Sequence, residues 1–496
     1  MTLGNDALTM GAALWSVAVG IELTIRIVMV GIVPGNRRPT TAMAWLLAIF
    51  FLPVVGLVIY LLFGNNKLSR RRIERQRSVN DSILESTQHM SGERWAPEAP
   101  EWVLSAVELN RTLGALPLQA GNSVKFITGY REFLDEMRRE IDRARRYVHV
   151  QFYIIGEDDQ YVGPILEAME RAVARGVKVR VLFDHLGSLR VSGYFALVRR
   201  MSAGGIKWRR MLPLAPFQRR WRRPDLRNHR KIVVVDGEVA FTGSQNLIEP
   251  GYKRASAHAI GREWVELMVK VRGPLVGSFD VVFATDWSQE GDEDLLHDLA
   301  IVAETMHEMP EAGESIGQLV PSGPGFESEN NLRLFNTLIY SATERLSITS
   351  PYFVPDDSLL YAITTAAQRG VQVELFVCEK GDQALVQHAQ QSYYEMLLRS
   401  GVRIYRYPAP TVLHSKYMAV DNDVVVMGSS NMDMRSFSLN LEITLMLLGP
   451  APVKELMRVQ DAYRAIATEL TLEQWDTRTP LSRWIDNVAR LSATLQ

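Results

Sequence analysis

The chain has 496 residues, 47% of them hydrophobic and 22% charged, with a formal net charge of -1. That composition excludes a disordered chain, and the length calls for two to four domains rather than one. The near-zero net charge leaves recognition of a charged partner to local clusters, and the single cysteine, Cys378, excludes an internal disulfide or a cysteine-based metal site and reads as a small core residue.

The chain opens on two apolar stretches. Residues 12–33 carry only Glu22 and Arg26, whose i,i+4 spacing places them on one helical face where they neutralise each other. Residues 42–63 carry no charge and span about 33 Å as a helix, with Pro53 as a tolerated kink. A cleaved signal peptide would start with basic residues, and none precedes the first stretch. The expectation is a transmembrane helical hairpin over residues 1–64. Arg37 and Arg38 lie between the stretches; Lys67, Arg70, Arg71, Arg72, Arg75 and Arg77 follow the second. The heavier basic flank is expected in the cytoplasm, which puts the large C-terminal region there, with both ends of the hairpin inside.

Residues 65–117 read as a polar linker. From residue 118, strand-like runs such as 147–155 and 177–183 alternate with amphipathic stretches such as 165–175, the mark of an α/β layered fold. The pattern then repeats. Residues 165–184 resemble 359–378, and HRKIVVVDGEVAFTGSQN (229–246) aligns without a gap on HSKYMAVDNDVVVMGSSN (414–431). Two copies of one α/β lobe are expected over 118–290 and 325–470, joined by a connection at 291–324 and followed by a terminal helical segment at 471–496.

Each copy carries His-x-Lys-x4-Asp: His229, Lys231 and Asp236 in the first, His414, Lys416 and Asp421 in the second. On a strand, positions i and i+2 share a face. An imidazole beside a fixed cation suits an anionic phosphodiester, the His attacking or moving a proton and the Lys holding oxyanion charge. The Asp lies an odd number of residues beyond the Lys and precedes Gly237 or Asn422, so it reads mainly as a hairpin-turn residue, with a direct catalytic role the weaker reading. Gly243-Ser244 with Asn246, and Gly428-Ser429 with Asn431, end the return strands. Their glycines would let backbone approach a ligand, and Ser244, Asn246, Ser429 and Asn431 would offer neutral hydrogen bonds to phosphate oxygens. A reacting imidazole needs an orienting partner, and Glu263 and Glu442, each set in an apolar run, are the candidates. Between Lys207 and Lys231, eight arginines are interleaved with Trp208, Phe217 and Trp221. Such a run fits nucleic acid or an anionic membrane surface, and the adjacent apolar stretches favour lipid. His149, His185 and His258 show no metal-ligand spacing, and no nucleotide fingerprint is present, so neither metal nor nucleotide cofactor is expected.

These residues resemble the phospholipase D superfamily. The wider pattern, including AWLLAIFFLPVVGLVIYLLFG (44–64), RNHRKIVVVDG (227–237), SPYFVPDDSLL (350–360), LHSKYMAVD (413–421) and GSSNMDMRSFSLNLE (428–442), is similar to bacterial cardiolipin synthases of the phospholipase D type. The resemblance covers nearly the whole chain. It implies two lobes related by pseudo-twofold symmetry and one shared site. It implies transfer of a phosphatidyl group from one phosphatidylglycerol to another through a phosphatidyl-histidine, releasing glycerol and needing no ATP. By it, His229 is the nucleophile, His414 the acid and then the base, and Lys231, Lys416, Asn246 and Asn431 hold the phosphate. A lipid hydrolase, or a transferase using phosphatidylethanolamine as donor, is the alternative. The implied setting is a bacterial cell membrane, with anionic phospholipid rather than nucleic acid as partner and the oligomeric state open. The copies differ at Glu249-Pro250 against Met434-Arg435, and Glu263 lies six residues further from its motif than Glu442 does.

Overall fold

The computed structural model describes the chain apart from residues 1, 36, 38, 65–67, 89–95, 215–224, 292, 296–310, 327–328 and 492–496. It forms two units, residues 1–67 and 68–496.

The first unit holds three helices, α1 (Thr2–Ile32), α2 (Pro39–Phe51) and α3 (Pro53–Phe63). Among the described residues, Ala13–Ile32 is the one helical stretch long and apolar enough to cross a membrane. Glu22 and Arg26 pair on it at 3.4 Å. The second apolar stretch departs from expectation. It is not one kinked span, because Leu52 leaves helical geometry at φ -132°, ψ 74° and Pro53 starts a new helix. Proline cannot supply the N–H that would continue the ladder and clashes with the preceding turn. Two helices of 13 and 11 residues result, and α3 folds back so that Trp45 and Tyr60 meet edge to face at 5.5 Å.

In the second unit, helices Arg70–Ser86 and Glu101–Gly114 precede a large mixed sheet. The first lobe contributes β1 (Leu118–Ile127), β2 (Tyr147–Phe152), β3 (Lys178–Asp184), β4 (Lys207–Met211), β5 (Arg227–Asn228), β6 (Ile232–Val235), β7 (Val239–Gly243), β8 (Trp264–Val265) and β9 (Met268–Arg272). Next comes β10 (Ser315–Ser322), so the expected connection ends in a strand of the sheet. The second lobe contributes β11 (Arg345–Thr349), β12 (Phe353–Val354), β13 (Gln372–Cys378), β14 (Arg403–Tyr407), β15 (Val412–Leu413), β16 (Tyr417–Val420), β17 (Val424–Gly428), β18 (Met432–Asp433), β19 (Asn440–Leu448) and β20 (Thr468–Leu470).

The order β14-β13-β11-β16-β17-β19-β10 in one half mirrors β4-β3-β2-β6-β7-β9-β1 in the other. The halves join where β1 and β10 pair antiparallel, with Leu118 opposite Gln318. Equivalent strands paired antiparallel are what a twofold axis through the sheet requires. Strand alternation divides the core into layers. Ile232 and Val234 of β6 face a cluster shared by both lobes, whereas Val233 and Val235 face the helices of the first lobe alone. Likewise Val425 and Met427 of β17 enter the shared cluster, and Val424 and Val426 enter that of the second lobe. Helix Leu275–Ser288 is buried along its whole length in the shared layer, the position its apolar sequence demands.

Candidate active site

Both motif histidines are placed by short parallel pairings between the lobes. Arg227 and Asn228 of β5 lie beside Asn440 and Leu441 of β19, and the His229 N–H then donates to the Leu441 carbonyl at 2.8 Å. Val412 and Leu413 of β15 lie beside Trp264 and Val265 of β8, and the His414 N–H donates to the Val265 carbonyl at 2.7 Å. One residue further along each partner segment stands a glutamate. His229 Nδ1 lies 3.0 Å from both carboxylate oxygens of Glu442, and His414 Nδ1 lies 2.8 and 2.9 Å from those of Glu266. Each lobe's imidazole is therefore oriented by the other lobe's carboxylate.

This corrects the expectation for Glu263. Its side chain is exposed, and its backbone carbonyl accepts from Val412 N–H at 2.9 Å. The position equivalent to Glu442 is Glu266. Gly243 pairs with Met268 and Gly428 with Thr444, so each acid sits two residues before the residue opposite its glycine. The detectable signal was a Glu directly preceding the apolar run 267–269, as Glu442 directly precedes 443–448.

Ser244 and Ser429 also take a different place from that expected. Both are fully buried. Their hydroxyls donate to Glu266 and Glu442, each at 2.5 Å, and accept from the Leu267 and Ile443 N–H groups at 2.9 Å. They hold the carboxylates rather than facing a ligand. The adjacent glycines serve the same contact: a Cβ at Gly243 or Gly428 would come within 2.3 Å of the Leu267 carbonyl oxygen or 2.1 Å of that of Ile443. The close approach is to a neighbouring strand.

Asp236 and Asp421 lie away from the imidazoles, in turns at φ 55° and 49°. Asp236 accepts from the N–H groups of Arg145, Arg146 and Tyr147 at 2.7–2.8 Å, and Asp421 from those of Thr343, Glu344 and Arg345 at 2.8–2.9 Å. They secure the start of β2 and β11, as the turn reading of the motif expects, and touch neither imidazole among the contacts described.

His229, His414, Asn246 and Asn431 open onto one cleft of about 1010 Å³. Asn246 receives the Ile154 N–H at 3.2 Å and donates to Tyr252 Oη at 3.0 Å. The Asn431 side-chain oxygen has no partner among the described residues. Lys231 and Lys416 stand behind the imidazoles, each donating to its own motif's His carbonyl, at 2.7 and 2.6 Å. Three tyrosines that the motifs did not reveal also line the cleft: Tyr153, 5.1 Å from the His229 ring, and Tyr252 and Tyr352, 6.3 and 6.2 Å from that of His414.

Burial sets the charge states. It lowers His229 to about 4, against the opposing pull of Glu442, and lowers His414 against Glu266. It also brings Lys231 to about 7 and Lys416 to about 8. Burial opposes ionisation of Glu442 and Glu266, but the facing imidazoles, lysines and serines outweigh it and hold both carboxyls below their usual range. The cleft thus presents neutral imidazoles over anionic orienters, with lysines whose charge a phosphate would reinforce. Among the described residues, no group of three or more His, Cys, Asp or Glu side chains could hold a metal ion.

Of the basic run, residues 215–224 lie outside the described residues. The remainder is partly spent inside the fold: Arg230 pairs with Asp286 at 2.7 Å, Arg227 with Asp184 at 3.1 Å, and Arg209 donates to the Trp287 carbonyl.

Fold and site together define a phospholipase D-type phosphotransfer protein, with two lobes, one cleft and a His-Lys pair from each. Comparison with known proteins narrows this. The family model described as cardiolipin synthase, PLD-like domain, matches residues 137–287 and 335–462, and a phospholipase D-nuclease N-terminal model matches residues 23–65. Cardiolipin synthase A of Proteus mirabilis (strain HI4320) is 33% identical over 484 residues, 96% of this chain and 95% of its own. Cardiolipin synthase A of Yersinia pseudotuberculosis (strain PB1/+) is 36% identical over 472 residues, 94% of each chain. The crystal structure of phosphatidylserine synthase from Haemophilus influenzae Rd KW20 shares the fold, with a TM-score of 0.59 at 15% identity over 78% of this chain and 99% of that one. The chain belongs to the cardiolipin synthase family of phospholipase D-like proteins.

Proposed function

We propose that the chain is a cardiolipin synthase, a phosphatidyltransferase that moves a phosphatidyl group from one phosphatidylglycerol to another. The observation that carries the mechanism is the crossed pair of Glu-oriented imidazoles opening onto one cleft. Two reacting groups held separately are what a double displacement needs.

In the first half-reaction, His229 Nε2 attacks the phosphorus of phosphatidylglycerol. A P–N bond forms and the P–O bond to the glycerol headgroup breaks. His414, protonated when the anionic substrate is bound, gives its proton to the departing glycerol oxygen. In the second half-reaction, neutral His414 takes the proton of a hydroxyl on a second phosphatidylglycerol, whose oxygen attacks phosphorus and releases His229. One phosphodiester replaces another, so no energy source enters. Lys231 and Lys416 hold the non-bridging oxygens, and Asn246 and Asn431 contribute amide contacts. Glu442 stabilises the charge that His229 gains in the adduct, and Glu266 tunes the proton held by His414.

The role of His229 as nucleophile follows the family resemblance; burial lowers the proton affinity of both His229 and His414 and so keeps a neutral ring free to attack. The apolar first unit supports a cell-membrane setting, and the basic residues after it support a cytoplasmic catalytic region facing anionic lipid rather than nucleic acid. The test is lipid chromatography. The purified chain given phosphatidylglycerol should yield cardiolipin and glycerol in equal amounts, and a cardiolipin-deficient host should regain the lipid on expression. Phosphatidic acid as the main product would replace this reading with a hydrolase.

A further inference from the structure

The internal repeat supplies a control for each half of the cleft, and two arginines fail to match. Arg227 corresponds to Val412 and Arg435 to Pro250 in the gapless alignment of the motifs. Asp184, at the end of β3, corresponds to Cys378 at the end of β13. The second lobe fills this place with the buried thiol of Cys378, which donates to the Leu413 carbonyl at 3.4 Å, and with buried Val412. The first lobe buries an ion pair there, Arg227 Nη1 to Asp184 at 3.1 Å. The second lobe packs this place without charge, whereas Asp184 also accepts from the Asn228 and Gly187 N–H groups at 2.9 Å. Burying charge is costly unless it is used.

Arg227 is 3% exposed and lines the cleft, yet its Nε and Nη2 have no partner among the described residues. Arg435 lines the same cleft, donating one nitrogen to the Asp225 carbonyl at 2.8 Å. Arg190 lines it too. In the other half the lining arginine, Arg254, is already paired with Asp382 at 3.0 Å, and Asp382 also accepts from Tyr352. Among the described residues, Arg227 pairs with Asp184 through Nη1 alone, and its side of the cleft also carries Arg435 and Arg190.

We propose that Arg227 and Arg435 form a second phosphate subsite, which holds the phosphodiester of the acceptor phospholipid while Lys231 and Lys416 hold the reacting one. This deepens the synthase reading and rests on it. Both lipid substrates are anionic, and the acceptor's phosphate stays intact one glycerol away from the new bond. Desolvated in the cleft, it needs its own cations.

The test separates lipid acceptor from small acceptor. In phosphatidylglycerol micelles with labelled glycerol, transfer to a second lipid gives cardiolipin, and return to glycerol gives labelled phosphatidylglycerol. Only the first uses the acceptor phosphate. Arg435→Gln, and the paired change Asp184→Cys with Arg227→Val, which copies the other lobe, should each lower the ratio of cardiolipin to labelled phosphatidylglycerol at least tenfold. Thermal unfolding monitors folding, and Arg435→Gln decides if the paired change fails to fold. A ratio within about twofold of the parent, whether both products fall together or neither falls, would overturn the subsite. A parent enzyme that exchanges glycerol but makes no cardiolipin would instead overturn the synthase reading.

A separate observation concerns the first unit. Trp45 and Tyr60, 15 residues apart, would stand about 22 Å apart on a straight helix; here their rings are 5.5 Å apart. The Arg37 guanidinium, just before α2, lies 4.8 Å over the Tyr60 ring near the end of α3. At the turn, a Cβ on Gly56 would come within 2.7 Å of the Ala48 carbonyl oxygen, so glycine permits the close return. Thus α2 and α3 form an antiparallel pair whose open end holds Arg37 and whose tip, Phe51 and Leu52, is apolar and exposed. Helices of 13 and 11 residues reach about 20 and 16 Å, short of the roughly 30 Å bilayer core but enough for one leaflet.

The geometry points to a single crossing by α1, with α2–α3 dipping into the cytoplasmic leaflet and returning. Arg37 then stays on the cytoplasmic side, as the charge rule favours; two crossings would leave it outside. In a Cys378→Ser background expressed in a bacterium, Asn5→Cys should react with an impermeant thiol reagent on intact cells. Gly35→Cys and Ser69→Cys should react only after lysis. Labelling of Gly35→Cys alone on intact cells, or of none of the three, would overturn the single crossing.

Discussion

Exchange of the orienting acids between lobes makes a prediction that no single-lobe reading makes: Glu442→Gln in the second lobe should disable the histidine of the first. The carboxylate of Glu442 lies 3.0 Å from His229 Nδ1 and is held by Ser429 and Asn440. Glutamine keeps the shape and loses the charge. Two unit charges about 4 Å apart are coupled by about 4 kcal/mol at an effective dielectric of 20. Loss of most of that from a step that puts positive charge on His229 slows it on the order of 10²–10³-fold. The assay uses a phosphodiester donor with a nitrophenol leaving group, which needs no protonation. Glu442→Gln should suppress both nitrophenol release and the phosphohistidine adduct on His229. Glu266→Gln should leave release from this donor within about fivefold of the parent, and should lose turnover with phosphatidylglycerol, whose glycerol must be protonated. The reverse pattern, with Glu266→Gln abolishing the adduct on His229, would refute the crossed assignment; an adduct found on His414 would reverse the two roles.

The other expectations are briefer. His414→Ala should make little cardiolipin yet still form an adduct on His229 with the nitrophenyl donor, whereas His229→Ala should form none, as read by mass spectrometry of acid-labile, base-stable phosphohistidine. Because burial brings Lys231 to about 7 and Lys416 to about 8, their charge is present below those values and lost above them. kcat/KM should therefore fall from pH 7 to 9, and less steeply in kcat, since bound phosphate raises both lysines; a flat kcat/KM over that range would contradict it. Asp236→Ala and Asp421→Ala each remove an acceptor of three backbone N–H groups. Each should cost roughly 2–4 kcal/mol in denaturant unfolding and leave kcat of the folded fraction within a few-fold. Activity should survive EDTA, and loss restored by a divalent ion would show that lysines alone do not carry the phosphate charge.

Much of the chemistry was legible in the residue order. The gapless repeat of His-x-Lys-x4-Asp singled out the two His-Lys pairs that the fold brings together, and the Asp-Gly and Asp-Asn steps marked turn residues, because turn conformation and strand alternation depend on neighbours a few positions apart. Alternation of short apolar runs with amphipathic ones announced the α/β lobes for the same reason. The partners of the histidines were not legible. Glu266 and Glu442 lie 148 and 213 positions from the imidazoles they orient, and only the β5–β19 and β8–β15 pairings between lobes decide which acid meets which ring. Glu263 and Glu266 differ by three residues and flank the two-residue strand β8, which leaves one exposed and the other buried against His414. The serines read as phosphate contacts because sequence shows a hydroxyl but not which way it points. A run of 22 uncharged residues specified an apolar environment, but its division into two helices that fold back on each other rests on Leu52, Pro53 and the contact of Trp45 with Tyr60. Composition sets the free energy of transfer into an apolar phase, whereas the path through it depends on packing between residues distant along the chain.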